Sequence, residues 1–220
     1  MKRLVFDDID SLSSAAAKRI AELAAEAIAA RGVFRIALAG GETPRRCYEQ
    51  LRLLPLDWTR VQVYFGDERC LPIGDAQRND SMARETLLDR VAIPPANVHG
   101  IPAELGATAA ATNYAAMLGS VPLDLALLGM GEDGHTASLF PGNPATASRD
   151  AVVAVFGAPK PPPERVSLGM ATLNASRHKL FLVAGAGKRA ALERIGQGEP
   201  LPAAGVADAE WYLDRAAQTN

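Results

Sequence analysis

The sequence has few of the features that mark specialised classes of protein. Its 220 residues include only two cysteines, Cys47 and Cys70, and no CxxC pair, which excludes a disulfide scaffold. No run of about 18 apolar residues occurs, so no membrane-spanning helix is expected. The formal net charge is only −2, so a broad basic surface for nucleic acid is not expected either.

The rest of the composition is typical of a soluble folded protein. Hydrophobic residues make up 48% and charged residues 22%, which excludes disorder as the main state and allows a real core. The opening MKRLVFDDID contains no signal-peptide core, and together with the few thiols this favours a cytoplasmic protein. No linker interrupts the chain, and we expect a single domain over residues 1–220.

Hydrophobic periodicity predicts alternating strands and helices. Short apolar runs predict strands at 3–7, 34–39, 61–65, 123–128, 151–156, 165–170 and 178–184, and amphipathic spacing predicts helices at 12–31, 44–54, 78–91, 103–118 and 188–195. This order predicts the α/β class: a three-layer α/β/α sandwich with a Rossmann-like, mostly parallel sheet and helices on both faces. Ligands of such folds bind in loops at the carboxyl ends of the strands.

The loop after the second predicted strand has the features of an anion site. Gly40 and Gly41 let backbone N–H groups approach a ligand closely, and Thr43 and Pro44 suit the N-cap and the first position of a helix. A glycine loop at a helix N-terminus most often binds phosphate. The carboxylate of Glu42 must then point away. An ordinary strand-to-helix turn is the alternative interpretation.

The GxGxxG pattern at residues 129–134 follows a predicted strand, as in dinucleotide-binding proteins. However, Pro141 and Gly142 leave room for only about two helical turns after it. A nicotinamide-dependent oxidoreductase is therefore disfavoured.

A second glycine pattern, GAGKR at residues 185–189, does not form a complete P-loop. Leu182 stands where that motif needs glycine, and Arg189 where it needs serine or threonine. Lys188 could still bind phosphate as a point charge near a helix start. The alternative is a solvated surface lysine.

Titratable residues follow two other predicted strands. Asp67 and Arg69 come after the third strand and His135 after the strand at 123–128, so a parallel sheet would bring them to the edge that carries the glycine loop. Histidine is the natural general base near neutral pH, and the combination favours a catalytic site over a structural histidine and a solvated charge run. No His/Cys cluster has metal-ligand spacing, and we expect no metal and no cofactor.

Several segments together resemble the 6-phosphogluconolactonase family, within the wider glucosamine-6-phosphate isomerase/deaminase superfamily. They are AGGETP, FGDERCLP, LLGMGEDGHTASLFPG, APKPPPERVSLGMATLN, GAGKRAAL and WYLD, in the order of the family. The chain departs from the family at Ala39 and Glu42, where small hydroxyl residues are usual. It also has Asn79-Asp80-Ser81-Met82 where the family has Ser-Asn, so no function is carried over to those positions.

The resemblance implies hydrolysis of 6-phospho-D-glucono-1,5-lactone to 6-phosphogluconate, the second step of the oxidative pentose phosphate pathway. It implies that His135 is the base that activates water and that Asp67 and Arg69 orient this base and the sugar hydroxyls or carbonyl. Phosphate would be held by Gly40, Gly41, Thr43, Arg165 and Lys188. The expected partner is a small sugar-phosphate lactone, with no nucleic acid, no membrane and no obligate protein partner.

Two alternatives remain within the superfamily. Glucosamine-6-phosphate deaminases carry a glutamate five residues after the histidine, where this chain has Phe140, which cannot transfer protons. Sugar-phosphate sensor domains normally follow a helix-turn-helix, whereas this chain begins with a predicted strand.

Overall fold

The structure, a computed structural model, describes residues 2–218. Its strands are β1 (Lys2–Phe6), β2 (Phe34–Leu38), β3 (Val61–Phe65), β4 (Asp67–Arg69), β5 (Leu125–Gly129), β6 (Val152–Val155), β7 (Arg165–Leu168), β8 (His178–Val183) and β9 (Glu210–Asp214). Its α-helices are α1 (Ile9–Arg31), α2 (Glu42–Leu51), α3 (Asn79–Thr86), α4 (Ala107–Leu118), α5 (Met170–Ala175) and α6 (Arg189–Gly196). None of the helices in residues 2–218 has the length and apolar character that crossing a membrane requires.

Six strands form one parallel sheet in the order β1-β9-β8-β5-β2-β3. Strands β2, β5, β8 and β9 are buried almost throughout, because helices and loops cover both faces of the sheet. The predicted α/β fold with a mostly parallel, Rossmann-like sheet is confirmed.

Helix α1 illustrates how local sequence sets an element. Asp8 and Ser11 form a capping box, so the helix begins at Ile9 rather than at the predicted residue 12. Gly32 ends it in the left-handed conformation, with φ 75°. The predicted stripe of Leu12, Ala16, Ile20, Leu23 and Ala27 is buried.

Three segments pair differently from the prediction. The predicted strands at 151–156 and 165–170 do not join the parallel sheet. They form β6 and β7 of a separate antiparallel sheet, in the order β4-β7-β6. Residues 67–69, expected to be a loop, are its third strand. The chain changes sheets at Gly66, whose N–H donates to Leu38 O while its carbonyl accepts from Leu168 N.

Strand β9 was not predicted at all. It lies between β1 and β8, so it connects the first strand to the rest of the sheet. Trp211 stacks on Phe181 of β8 with ring centroids 4.0 Å apart, which fixes β9 against its neighbour.

The order of the strands creates a crevice. From β2 the chain continues to β3 on one side and later returns to β5 on the other side of β2. Parallel α/β sheets bind ligands at such a switch point, outside the carboxyl ends of the strands. The loops that follow β2 and β5 contain Gly40 and His135, so two of the predicted site segments meet here.

Candidate active site

A cleft of about 330 Å³ opens at the carboxyl ends of β2, β3, β5 and β8. Of the predicted site residues, seven line it: Gly40, Gly41, Asp67, Arg69, His135, Arg165 and Lys188. Thr43 does not. The cleft also contacts residues to which the sequence assigned no role, among them Asn79, Glu132, Phe140 and Lys160.

His135 is paired with Asp133 on the turn after β5. Its ring Nδ1 lies 2.6 Å from Asp133 Oδ1, and its backbone N–H donates to the same oxygen at 3.1 Å. Burial disfavours ionisation of Asp133, but these hydrogen bonds and the charge interaction with His135 outweigh it and lower the Asp133 pKa. In the tautomer that carries its proton on Nδ1, the ring donates a hydrogen bond to Asp133, and Nε2 is free to accept a proton.

The glycines of the GxGxxG segment shape this turn. A Cβ on Gly131 would lie 2.0 Å from His135 Nδ1 and 2.5 Å from Asp133 Oδ1, so only glycine allows the pair to form there. Gly134 has φ 83°, and the N–H of Gly131 donates to His135 O at 2.9 Å. No α-helix occurs between β5 and α5 in the structure, so the segment folds around a histidine instead of opening the helix of a dinucleotide site.

Asp67 forms its hydrogen bonds with residues other than His135. Its carboxylate accepts from Ser138 Oγ at 2.6 Å and from Asn79 Nδ2 at 3.0 Å, and it is buried. Within residues 2–218 it makes no hydrogen bond to His135. The carboxylate that contacts the histidine ring is therefore Asp133, which belongs to the predicted Asp133-Gly134-His135 segment but had been assigned no role of its own.

Asn79 also explains why residue 40 is a glycine. A Cβ at Gly40 would lie 1.9 Å from Asn79 Oδ1, so the close approach of helix α3 to the glycine loop requires glycine. Tyr48 fixes the other side of the loop, because its hydroxyl donates to Ala39 O at 2.7 Å and accepts from Ala39 N at 2.9 Å. Asn79 lies far from the glycines in sequence, and no spacing pattern connects them.

The prediction that Thr43 caps helix α2 is wrong. The helix begins at Glu42, its N-cap is Gly41 with φ 106°, and no side chain caps it. Glycine is needed there because a residue with a side chain would be strained at that φ. Glu42 does point away, as predicted: its carboxylate is exposed and bonded to Arg46 Nε at 3.1 Å. The N-terminal N–H groups of α2 are left without a side-chain acceptor, and they favour an anion.

Arg69 lies on β4 and faces the cleft on the same side of the strand as Asp67. Its Nη1 donates to Gln77 O, which ties the loop before α3 to the site. Its buried Nε has no partner within the described residues. Arg69 thus lines the cleft while one of its guanidinium nitrogens is held by the protein.

Three further cations line the cleft: Lys160, Arg165 and Lys188. Arg165 is buried, and it donates through Nε to Pro162 O at 3.2 Å and through Nη2 to Lys160 O at 3.0 Å. It therefore holds the proline-rich loop that brings Lys160 to the cleft. Burial lowers the pKa of Lys188, and the positive charge of Lys160 lowers it further. Lys160 and Lys188 form no ion pair with the described residues, and the sequence analysis had missed Lys160.

The WYLD segment, residues 211–214, stabilises the turn that precedes Lys188. Both carboxylate oxygens of Asp214 accept from the N–H of Gly185, at 3.0 and 3.1 Å, and Oδ1 also accepts from Ala217 N. Gly185 has φ 96°, so a glycine is required where the chain turns toward Lys188. The resemblance identified this segment, but only the structure shows what Asp214 does.

The Phe140 ring lies beside both His135 and Arg165. Its ring is almost fully buried, 4.5 Å from the ring of His135, and the Arg165 guanidinium lies 5.7 Å from its centroid. Burial raises the pKa of the Cys70 thiol to about 11, which argues against a thiolate nucleophile. Within residues 2–218, no group of three or more potential metal ligands comes together.

Comparison with known proteins gives consistent matches over nearly the whole chain. The sequence profile described as "Glucosamine-6-phosphate isomerases/6-phosphogluconolactonase" matches residues 7–213. The 6-phosphogluconolactonase of Mycobacterium leprae is 37% identical over 97% of this chain and 95% of its own length. That of Streptomyces coelicolor is 38% identical, over 99% and 93%. The crystal structure of 6-phosphogluconolactonase from Thermotoga maritima has a TM-score of 0.90 and 29% identity, and covers 97% of this chain and 99% of its own.

Proposed function

The chain belongs to the glucosamine-6-phosphate isomerase/6-phosphogluconolactonase family, and from this premise we propose that it hydrolyses 6-phospho-D-glucono-1,5-lactone to 6-phosphogluconate. This is the second step of the oxidative pentose phosphate pathway. Relatives named for this activity support the substrate. The observation that carries the mechanism is the Asp133–His135 pair, whose histidine lines the same cleft as Lys160, Arg165 and Lys188.

His135 acts as the general base. Nε2 takes a proton from water as the oxygen attacks the lactone carbonyl carbon, and the imidazolium that forms is stabilised by Asp133. The tetrahedral intermediate then breaks the bond between that carbon and the ring oxygen. The ring oxygen takes the proton from His135 and leaves as a hydroxyl, and the new carboxylic acid releases one proton to solvent. No covalent enzyme intermediate is needed, because a lactone is already an activated ester.

The remaining groups bind and orient the substrate. Lys160 and Lys188 hold the phosphate together with the N–H groups at Gly41 and the start of α2. Arg165 supports Lys160 and adds a third positive charge. Arg69, which also lines the cleft, stabilises the oxyanion. Binding the phosphate in the cleft positions the lactone carbon beside His135.

Phe140 disfavours the deaminase alternative. It occupies the position where deaminases carry their proton-transferring glutamate, and its buried ring packs on His135. A hydrocarbon ring cannot protonate an amino sugar, whereas ester hydrolysis needs only the base.

The test is acid release from freshly generated 6-phosphogluconolactone in weak buffer, compared with the spontaneous rate. We expect strong acceleration, and no ammonia release from glucosamine 6-phosphate. Ammonia release without lactone hydrolysis would support a deaminase. Tight binding of sugar phosphates with neither reaction would instead identify a sensor domain.

A further inference from the structure

The two cleft-lining carboxylates of Asp67 and Glu132 have different surroundings. Asp67 is buried and bonded to Ser138 and Asn79. Glu132 is exposed and forms neither a hydrogen bond nor an ion pair with the residues the structure describes. Its carboxylate lies over the backbone of Gly187, where an added Cβ would come within 2.8 Å of Oε1. Glu132 therefore adds a negative charge, without a direct partner, to the cleft that contains the cations.

Glu132 is close enough to act on Lys188. Burial and the charge of Lys160 lower the pKa of Lys188, whereas the charge of Glu132 acts in the opposite direction. The same field that stabilises a lysine cation destabilises an anion bound beside it. A cleft that served only to bind phosphate as tightly as possible would not place an unpaired carboxylate there.

We propose that Glu132 limits the affinity of the cleft for phosphorylated anions and thereby favours release of the product over retention. Hydrolysis of the lactone creates a carboxylate, so the product carries one more negative charge than the substrate. Repulsion from a fixed negative charge grows with the charge of the ligand. Glu132 is then a specificity-determining residue that discriminates against the product, and this inference rests on the proposed function.

The experiment is isothermal titration calorimetry with 6-phosphogluconate, followed by competition with inorganic phosphate. The variant is Glu132→Gln, which keeps shape and polarity but removes the charge. Glu193→Gln is the matched control, because Glu193 is exposed on α6 and outside the cleft. We expect Glu132→Gln to bind 6-phosphogluconate roughly 3- to 10-fold more tightly at low salt, with a smaller gain for inorganic phosphate. At roughly 0.5 M salt the gain should shrink, because the Debye length falls to a few ångströms.

Unchanged or weaker binding by Glu132→Gln would overturn the proposal. Weaker binding of 6-phosphogluconate alone would show that Glu132 accepts a hydrogen bond from a sugar hydroxyl. A gain that persists at high salt, or one that Glu193→Gln reproduces, would also count against a local charge effect. The measurement needs no turnover, so a failure of the lactonase assay and a failure of this inference can be told apart.

Discussion

The two ends of the parallel sheet use the same kinds of charged residue in different ways. At the amino ends of the strands, buried Asp124 accepts from Arg35 N at 2.8 Å and pairs with Arg31 at 2.7 Å and Arg177 at 3.4 Å. At the carboxyl ends, Lys160 and Lys188 face a cleft without an ion-pair partner among residues 2–218. One end has its charges neutralised by the protein, whereas the other keeps them for a ligand.

Helix direction reinforces the difference. Helix α1 ends beside Asp124 with Arg31 in its last turn, where a cation suits the negative end of the helix dipole. Helix α2 begins at the cleft with uncapped N–H groups, where an anion is favoured. Charged residues alone therefore do not mark a functional site. In this protein the candidate site is marked by lysines without an ion-pair partner, in the cleft where the uncapped helix α2 begins.

The largest expected effect comes from removing the base at the carboxyl end. His135→Ala should lower kcat by about 10²- to 10⁴-fold while Tm changes little, because the side chain acts in proton transfer. His178→Ala, at the amino end of β8, should leave kcat unchanged. Activity assays and thermal unfolding of both variants check this. Equal loss of Tm and activity in His135→Ala would identify a structural histidine.

At the amino ends of the strands we expect the reverse: a loss of stability with no loss of activity. Asp124→Ala should lower the free energy of unfolding by about 2 kcal/mol, since Arg35 N and two arginines lose their shared acceptor. The value is modest because Arg31 and Arg177 are partly exposed and can be hydrated again. Urea unfolding measures the loss, and kcat should stay unchanged. Glu26→Ala, exposed on α1 nearby, is the control; a similar loss there would remove the distinction.

A smaller effect should follow from crowding the catalytic turn. Gly131→Ala places a methyl group where the Asp133–His135 pair lies, so kcat should fall about tenfold through misplacement of the base. Gly196→Ala meets no neighbouring atom within 4 Å and should have no such effect. Steady-state kinetics of both variants test whether the glycine serves this pair; an unchanged kcat in Gly131→Ala would contradict it.

The smallest predicted effect is a pH dependence at the cleft. Burial lowers the Lys188 pKa, so Lys188 loses its charge at a lower pH than an ordinary lysine. Phosphate binding should therefore weaken, by a few fold, as pH rises toward about 10. Lys188→Arg should move that weakening to higher pH, because arginine stays protonated. Calorimetry with 6-phosphogluconate measures it, and identical profiles for both proteins would exclude Lys188 as the titrating group.

Most of the predicted site residues line the cleft, because parallel strands gather the residues that follow them. Gly40, Asp67 and His135 are far apart in the chain, yet all line the cleft. Each follows a strand of the parallel sheet, namely β2, β3 and β5 respectively. Lys160 was missed because it lies in a proline-rich loop, whose path depends on hydrogen bonds to Arg165. Strand β9 was missed because its identity as a strand depends on pairing with β8 and β1.

The sequence by itself determined the α/β class, the long first helix, the glycine loops and the family, because these depend on local periodicity and on residues in fixed order. Only the tertiary structure decided that the DER segment is a strand, that Asp133 rather than Asp67 contacts His135, and that Asn79 requires glycine at position 40. The physical reason is the distance along the chain over which each interaction acts. Backbone preference acts between neighbours in sequence, whereas ion pairing, burial and close approach depend on which distant segments the sheet brings together.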